Sequence, residues 1–193
     1  MRMRNLIRIL AMTMAVCLGA LAPADAQDDA GRLHKEYQVK AAFLYNFVKF
    51  VQWPGAQALD HTHAANICVM GTDPFGSILD IFKQASSSQL ALNVKRGITD
   101  ADIPTCHILF IARSEEDRVG QILAIARNNP VLTVSEMKGF ADKGGIVEMV
   151  KTEENIGLFS KDKINLRINV KVATAEGLHI DAQLLEIAAE VMR

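Results

Sequence analysis

The sequence lacks the excess of basic residues that is typical of proteins that bind nucleic acid. Lys and Arg together number 21 and Asp and Glu 22, which gives a formal net charge of −1 at pH 7. Because nucleic-acid backbones are held mainly by Lys and Arg, this balance does not support a nucleic-acid partner. Beyond residue 26 the chain also lacks any apolar run approaching the roughly 20 residues that a membrane-spanning helix needs.

The motifs of common catalytic and metal sites are missing as well. The chain has no Gly-x-Ser-x-Gly nucleophile elbow, and residues 71–76 lack the Lys-Ser/Thr pair of a phosphate-binding loop. His61 and His63 stand in a polar loop without further ligands at a familiar zinc spacing. We therefore expect a binding protein that is not an enzyme and that has no catalytic residues, metal or cofactor.

The amino terminus has the three regions of a secretory signal peptide in the right order. Arg2, Arg4 and Arg8 lead into an apolar run over residues 9–21, and Ala24-Asp25-Ala26 has the small-x-small pattern of a cleavage site. We predict a signal peptide over residues 1–26, a flexible segment over 27–32 and one α/β domain over 33–193. The expected location is the periplasm of a Gram-negative cell, with no insertion into the membrane after cleavage.

Cysteine is scarce, and each position is informative. Cys17 lies in the predicted signal peptide, so the exported chain keeps only Cys68 and Cys106. Two cysteines in an oxidising compartment suggest one disulfide, which would stabilise the fold by about 4 kcal/mol in the chain-entropy model. Two separate buried thiols are the alternative that the sequence leaves open.

The first predicted helix, residues 33–52, has more apolar surface than one neighbour can cover. Its apolar side chains span an arc of about 200°, against the roughly 100° stripe of an ordinary surface helix. We expect a second ridge, covered either by the rest of the chain or by a partner, because aromatic residues dominate binding hot spots. The partner-facing candidates are Phe43, Phe47 and Phe50, with Tyr45 and Trp53 flanking them.

After residue 65 the sequence alternates short apolar runs with amphipathic segments, which predicts an α/β sandwich with a central mixed, mostly parallel sheet flanked by helices. Strands are predicted over residues 67–70, 90–94, 107–111, 131–134, 146–150, 156–159 and 164–168, with 151–154 joining an antiparallel pair. Helices are predicted from Pro74, from Ser114, before Gly177 and after Asp181, the last with Leu184, Leu185, Ala188, Val191 and Met192 on one face.

Ligands of such sheets usually bind beyond the carboxyl ends of the parallel strands. In this chain that edge is expected to bring together Thr72, Arg113, Ser114 and Ser135, next to Gly71. These residues define an alternative site for a small molecule. Helix capping and loop geometry explain the same residues without any ligand.

Seven segments in a fixed order make the chain resemble the YfiR family of periplasmic proteins. They are residues 37–47 with Trp53-Pro54, 68–71 with 73–75, 106–111, 139–141, Gly144-Gly145, Ile168-Asn169, and Gly177-Leu178 leading to Leu184-Leu185. The resemblance implies an α/β sandwich, often a homodimer, whose best known member represses a membrane-bound diguanylate cyclase. That repressor binds the periplasmic sensory domain of the cyclase, which lowers cyclic-di-GMP and biofilm formation.

The resemblance also bears on individual residues. Cys68 and Cys106 match one cysteine pair of the family, whereas a second pair found in some members is missing, because residues 144–152 contain no cysteine. Repression by docking is the hypothesis that follows, through the aromatic ridge of the first helix or through the strand with Arg167 and Asn169. The rival hypothesis is a periplasmic solute-binding protein in which Arg113 or Ser114 binds a small anionic or aromatic molecule.

Overall fold

A seven-stranded sheet forms the centre of this computed structural model, which describes residues 24–55, 58–59, 64–85, 91–156 and 159–193. The chain divides into two units, residues 1–34 and 35–193, and the described part of the first is helical throughout. Residues 1–23, His61, His63 and Leu90 lie outside the described residues. The predicted cleavage after Ala26 therefore stays a prediction.

The secondary structure of the described residues begins with helix α1, Ala24–Phe50. The strands are β1 Val51–Gln52, β2 Ala65–Met70, β3 Leu92–Arg96, β4 Ile108–Ile111, β5 Leu132–Ser135, β6 Val147–Ile156, β7 Phe159–Asn169, β8 His179–Ile180 and β9 Glu190–Met192. The remaining α-helices are α2 Ile78–Ala85, α3 Val119–Ala126, α4 Val170–Ala175 and α5 Ala182–Glu186. Two 3-10 helices cover Asp100–Thr105 and Arg113–Arg118.

The strand order is β3-β2-β4-β5-β6-β7-β9. Every neighbouring pair is parallel except β6 with β7, which is antiparallel. A separate two-stranded sheet joins β1 to β8, with Val51 opposite Ile180. The predicted fold, a mixed and mostly parallel sheet flanked by helices, is thus confirmed.

Side-chain alternation along the strands builds a core on each face of the sheet. Ile67 and Val69 of β2 belong to one core, which also holds residues of α1, α2, α4 and α5. Cys68 and Met70 belong to the other, with α3 and Ile103 of the first 3-10 helix. Because successive side chains of a strand point to opposite faces of the sheet, the position of a residue along the strand decides which of the two cores it joins.

Helix α1 begins nine residues before the predicted start at Leu33 and ends at Phe50, two residues before the predicted end. It includes residues 27–32, where the sequence predicts a flexible segment. Once a helix is nucleated, each further residue adds a backbone hydrogen bond, so weak helix formers at its end can still be helical.

Two predicted elements near the carboxyl terminus are corrected by the structure. Residues 151–154, predicted as a turn, lie within β6, because Lys-Thr-Glu-Glu contains no typical turn residue and Glu154 lies opposite Lys161 of β7. The last helix ends at Glu186, and residues 190–192 form β9 instead of continuing its apolar face. There the open edge of β7 offers strand pairing, which overrides helix propensity.

Candidate docking surface and strand-end cleft

The outer face of α1 carries Val39, Phe43 and Phe50. At 100° per residue these three positions fall within an arc of about 40°. Val39 is 44% exposed, and the two phenylalanines are half-buried, packed against the core with part of each ring uncovered. This line of apolar side chains is called the α1 surface below.

Phe47 and Trp53, two of the predicted partner-facing residues, lie in the core of the protein. Phe47 is fully buried, and its ring centroid lies 6.1 Å from that of Phe43. The Trp53 indole is also buried and donates a hydrogen bond of 3.2 Å from Nε1 to the carbonyl of His107. In this structure both side chains therefore hold α1 and its end against the sheet, and neither is part of the surface.

Tyr45 lies on another side of α1. Its ring centroid is 5.6 Å from that of Phe82 on α2, and the ammonium group of Lys49 lies 4.6 Å from the Tyr45 ring. A cation over an aromatic face is attracted by the ring quadrupole. Tyr45 therefore links α1 to α2 and stands apart from the α1 surface.

Arg167 and Asn169 on β7 have internal partners. Arg167 forms ion pairs with Glu190 at 2.6 Å, Glu148 at 2.8 Å and Asp142 at 3.0 Å, and the hydrogen bonds that it donates to Glu190 and Asp142 raise its pKa. Asn169 is 8% exposed, and its side chain caps α4 by accepting from the amide of Val172. Both residues therefore tie elements of the fold together.

Lys40, a residue that the sequence analysis did not single out, is buried on the inner side of α1. It is 2% exposed and forms ion pairs with Glu36, one turn earlier, and with Glu136 after β5. Tyr37 donates a hydrogen bond of 3.1 Å to the same Glu136 carboxylate, and its pKa is raised by burial and by that neighbour. The sequence did contain a signal for this ion pair, because Glu36 and Lys40 are four residues apart and residues at that spacing are neighbours on a helix.

The network continues to the β6–β7 hairpin. Lys151 of β6 forms ion pairs with Glu36 at 2.9 Å and with Asp162 of β7 at 3.1 Å. The hydrogen bond that Lys151 donates to Glu36, followed by the one that it donates to Asp162, outweighs burial and raises the pKa of Lys151. Alternating charges thus fasten α1 to the sheet without leaving a buried charge uncompensated.

The predicted strand-end residues are brought together only in part. Ser114 accepts a hydrogen bond of 2.8 Å from the backbone amide of Thr72, which joins the loops that follow β2 and β4. Ser135 is fully buried and donates to the carbonyl of Ile111 at 2.8 Å. Arg113 is largely exposed, and its Nε atom lies 4.0 Å from Oε1 of Glu136. These contacts order the loops whether or not a ligand binds.

A cleft of about 480 Å³ opens beside these loops, at the carboxyl ends of β2 and β3. Met70 and Ile98 line its apolar part, and Arg118 lies between the carboxylates of Asp100 and Glu115. Its size falls within the range of small-molecule sites, and its position is the one at which α/β sheets usually bind ligands. Among the described residues, no group of His, Cys, Asp and Glu has an arrangement suited to a metal.

Cys68 and Cys106 form a disulfide, as predicted. Their Cα atoms are 5.9 Å apart, and both residues are fully buried in the core that contains α3. The bond connects β2 to the end of the 3-10 helix Asp100–Thr105, whose first residues line the cleft.

The sequence profile of the YfiR/HmsC-like family matches residues 37–189, which is most of the chain. The protein belongs to the YfiR/HmsC-like family. The resemblance drawn from the seven segments is thereby confirmed. Among curated proteins no sequence matches this chain.

The solved structures that superpose on this YfiR/HmsC-like chain are remote from it in sequence. A conserved domain protein from Vibrio cholerae O1 biovar El Tor superposes with a TM-score of 0.51 at 11% identity, over 80% of this chain and 60% of that one. The ABC domain from Streptococcus pneumoniae, solved in complex with L-Trp, superposes with a TM-score of 0.46 at 12% identity, over 66% of this chain and 55% of that one. The first likeness shows the fold alone.

YfiR/HmsC-like proteins are periplasmic regulators, and family membership supports a role in regulating a diguanylate cyclase at the level of the family. In the part of the chain that the structure describes, no helix combines the length and apolar character that a bilayer crossing requires.

Proposed function

We propose that this protein represses an inner-membrane diguanylate cyclase by docking on its periplasmic sensory domain, and so lowers cyclic-di-GMP and biofilm formation. Family membership supports the class of target. The α1 surface is the observation that supports docking. Val39, Phe43 and Phe50 form one apolar line on the outside of the helix, with Val39 44% exposed.

The α1 surface is suited to a protein partner because its aromatic rings are held in place. Phe43 and Phe50 pack against the core on one side, so little side-chain freedom is lost when a partner covers the other side. The salt bridges of Lys40 fix the inner side of the same helix to the loop after β5 and, through Glu36, to β6. A rigid apolar line of this kind can bind without reorganising.

Export to the periplasm is part of the proposal. Residues 1–26 serve as the signal peptide, residues 27–32 lead to the domain, and the exported protein acts where the Cys68–Cys106 disulfide persists. Mass spectrometry of the protein recovered from the periplasm should give a chain that begins at Gln27. An intact amino terminus on cytosolic protein would contradict this part of the proposal.

A membrane pull-down tests docking directly. The tagged protein is incubated with detergent-solubilised membranes, and captured diguanylate cyclase is quantified by mass spectrometry. Val39→Asp should reduce capture roughly tenfold or more, because a charge in the apolar centre of an interface is costly. Since Val39 is partly exposed, this variant should fold.

Ile81→Asp on α2 is the matched control. Ile81 is 60% exposed and lies outside the α1 surface, so the same change of chemistry should leave capture unaltered. If wild type and Val39→Asp capture equal amounts of cyclase, the α1 surface is not the docking site. If wild type captures none, the proposed partner is wrong.

A second candidate function is the binding of a small solute, which the cleft beside Gly71 supports. The residues that line the cleft include Met70, Ile98 and Arg118. The loops that carry Thr72, Arg113, Ser114 and Ser135 would lie beside the bound ligand. A thermal-shift screen of small anionic and aromatic metabolites tests it. A ligand whose stabilisation disappears in Arg118→Ala but persists in Val39→Asp would favour this function over docking.

A further inference from the structure

The outward-facing positions of α1 repeat with the spacing of a coiled-coil seam. Val39, Phe43, Asn46 and Phe50 follow one another at intervals of four, three and four residues. At 100° per residue they lie within an arc of about 60°. Val39 is exposed and the other three are half-buried, so all four reach the outside of the helix. These four positions are called the α1 seam below, and their spacing is the one at which a helix packs lengthwise against another helix.

The two flanks of the α1 seam differ in access and in charge. On one side Phe47 and Lys40 are buried in the protein. On the other side Lys35 and Lys49 are exposed and stand 14 residues apart, which is two heptads. The other two charged residues between Lys35 and the end of α1 are Glu36 and Lys40, and both are buried in their ion pair. The accessible flank is therefore basic.

The Lys49 side chain is held at this flank by a neighbouring ring. Its ammonium group lies 4.6 Å from the centroid of the Tyr45 ring, one turn earlier on α1. An ammonium group has three N–H donors, so the contact with the ring still leaves donors for a carboxylate. Lys49 is thus a placed cation at the edge of the seam.

Asn46 is the one polar residue of the α1 seam. A polar side chain that a partner covers must be hydrogen-bonded, because a buried amide without a hydrogen bond costs free energy. In coiled coils a single Asn in the seam fixes the register of the helices at some cost in stability. Asn46 therefore favours a partner with a polar side chain at the matching position.

We propose that the α1 seam binds one amphipathic α-helix of the cyclase's periplasmic domain, packed lengthwise along α1. The inference rests on the proposed function and adds the kind of segment that docks. From Val39 to Phe50 the seam spans about 17 Å, so the partner helix needs about three turns or more. That helix should have an apolar seam with one polar residue opposite Asn46. Its flank should carry Asp or Glu opposite Lys35 and Lys49.

Carbodiimide cross-linking tests the charged flank. The reagent joins a lysine amine to a carboxyl group in contact with it, and takes up the water that is lost. The tagged protein is incubated with detergent-solubilised membranes, and cross-linked peptides of the captured cyclase are identified by mass spectrometry. Lys35 and Lys49 should each be linked to Asp or Glu within one partner segment. The two linked partner residues should lie about 14 positions apart, because two helices rise equally per residue.

Charge reversal measures what this flank contributes. Lys35→Glu combined with Lys49→Glu should reduce capture of the cyclase roughly tenfold at low salt, and the difference from wild type should shrink as added salt screens the charges. Lys143→Glu combined with Lys171→Glu is the matched control, because both lysines are exposed and lie outside α1. This control should leave capture unaltered. All four lysines are exposed, so circular dichroism should show that both variants fold.

Asn46→Leu tests the register. The substitution makes the seam more apolar, so the variant should still capture the cyclase. Without the polar residue that fixes the register, Lys49 should cross-link to more than one partner carboxylate. A cross-link pattern identical to that of wild type would overturn the role of Asn46.

The outcomes separate this inference from the proposed function. If Val39→Asp loses capture but the two-lysine variant on α1 keeps it, docking on α1 stands and the acidic partner helix is wrong. Cross-links from Lys35 and Lys49 to two unconnected partner segments would overturn the single helix in the same way. Wild type that captures no cyclase would remove the proposed function and this inference together. A covalent dimer of the protein by itself, linked through Lys35 or Lys49, would show that a second copy covers the seam and would overturn the proposal.

Discussion

Lys40 on α1 forms a buried ion pair with Glu136, a residue 96 positions later that follows β5. The side chains are 2% and 8% exposed, so both charges are almost completely removed from water. A buried charge is tolerated when it is paired and hydrogen-bonded, and removal of one partner is strongly destabilising. This pair fastens the helix that carries the α1 surface to the sheet.

Lys40→Met should therefore lower the free energy of unfolding by about 3 kcal/mol, because Glu36 and Glu136 lose their common partner. Urea unfolding of the purified protein measures this change. Arg118→Met provides the comparison, since the pair of Arg118 with Asp100 is partly exposed and should contribute no more than about 1 kcal/mol. If the two substitutions lower the free energy of unfolding equally, burial does not increase the contribution of the Lys40 ion pair.

Glu36 predicts how stability depends on pH. Burial opposes its ionised form, but hydrogen bonds from Lys40 and Lys151 outweigh burial and lower its pKa. A carboxyl whose pKa is lower in the folded state stabilises the fold above its unfolded pKa of about 4.3, and this contribution is lost as pH falls through the folded pKa.

Glu36→Gln should accordingly reduce the free energy of unfolding at neutral pH and make it less sensitive to pH below about 4.3. Urea unfolding at a series of pH values measures both effects. Glu116→Gln, at an exposed position on the 3-10 helix Arg113–Arg118, serves as the control. If the free energy of unfolding of Glu36→Gln falls with decreasing pH as steeply as that of wild type, other groups cause the loss of stability in acid.

The disulfide between Cys68 and Cys106 should contribute about 4 kcal/mol, because it closes a long loop in the unfolded chain. Replacement of both cysteines by Ser should lower the urea midpoint by the corresponding amount without changing the secondary structure. Dithiothreitol should produce the same shift in wild type and none in the double variant. If wild type is reduced while it is unfolded and its urea midpoint is still unchanged, this account is contradicted.

Gly145 is required by close packing against Phe140. A Cβ atom at position 145 would lie 2.1 Å from the Phe140 ring, which is fully buried. Gly145→Ala should therefore destabilise the protein by about 1–3 kcal/mol, the usual cost of overpacking. Gly120→Ala on α3, where a Cβ meets no atom within 4 Å, should instead be stabilising by about 0.5–1 kcal/mol in thermal unfolding.

The features that the sequence predicted well depend on local patterns. Short apolar runs such as Ile67–Met70 predicted the parallel strands, and two cysteines in a chain with a predicted signal peptide predicted the disulfide. The prediction that residues 151–154 connect two strands was wrong. Both faces of this hairpin are partly solvated, so charged residues occur along its whole length. Periodicity cannot distinguish such a ribbon from a loop.

The site residues were harder to predict because burial depends on distant elements. Phe43 and Phe47 differ by only about 40° around the helix, yet one reaches the surface and the other is fully enclosed. Lys40 shows the reverse case, since its burial depends on Glu136 and could not be inferred from α1 alone. The α1 surface is what remains of the predicted ridge after packing.

The most direct test of repression is the cellular concentration of cyclic-di-GMP, measured by mass spectrometry in strains with and without this gene. We predict that deletion raises the concentration, that wild type and Ile81→Asp restore it, and that Val39→Asp does not. The rise should also disappear when the gene for the captured cyclase is deleted. An unchanged concentration after deletion, in cells that express the cyclase, would contradict repression.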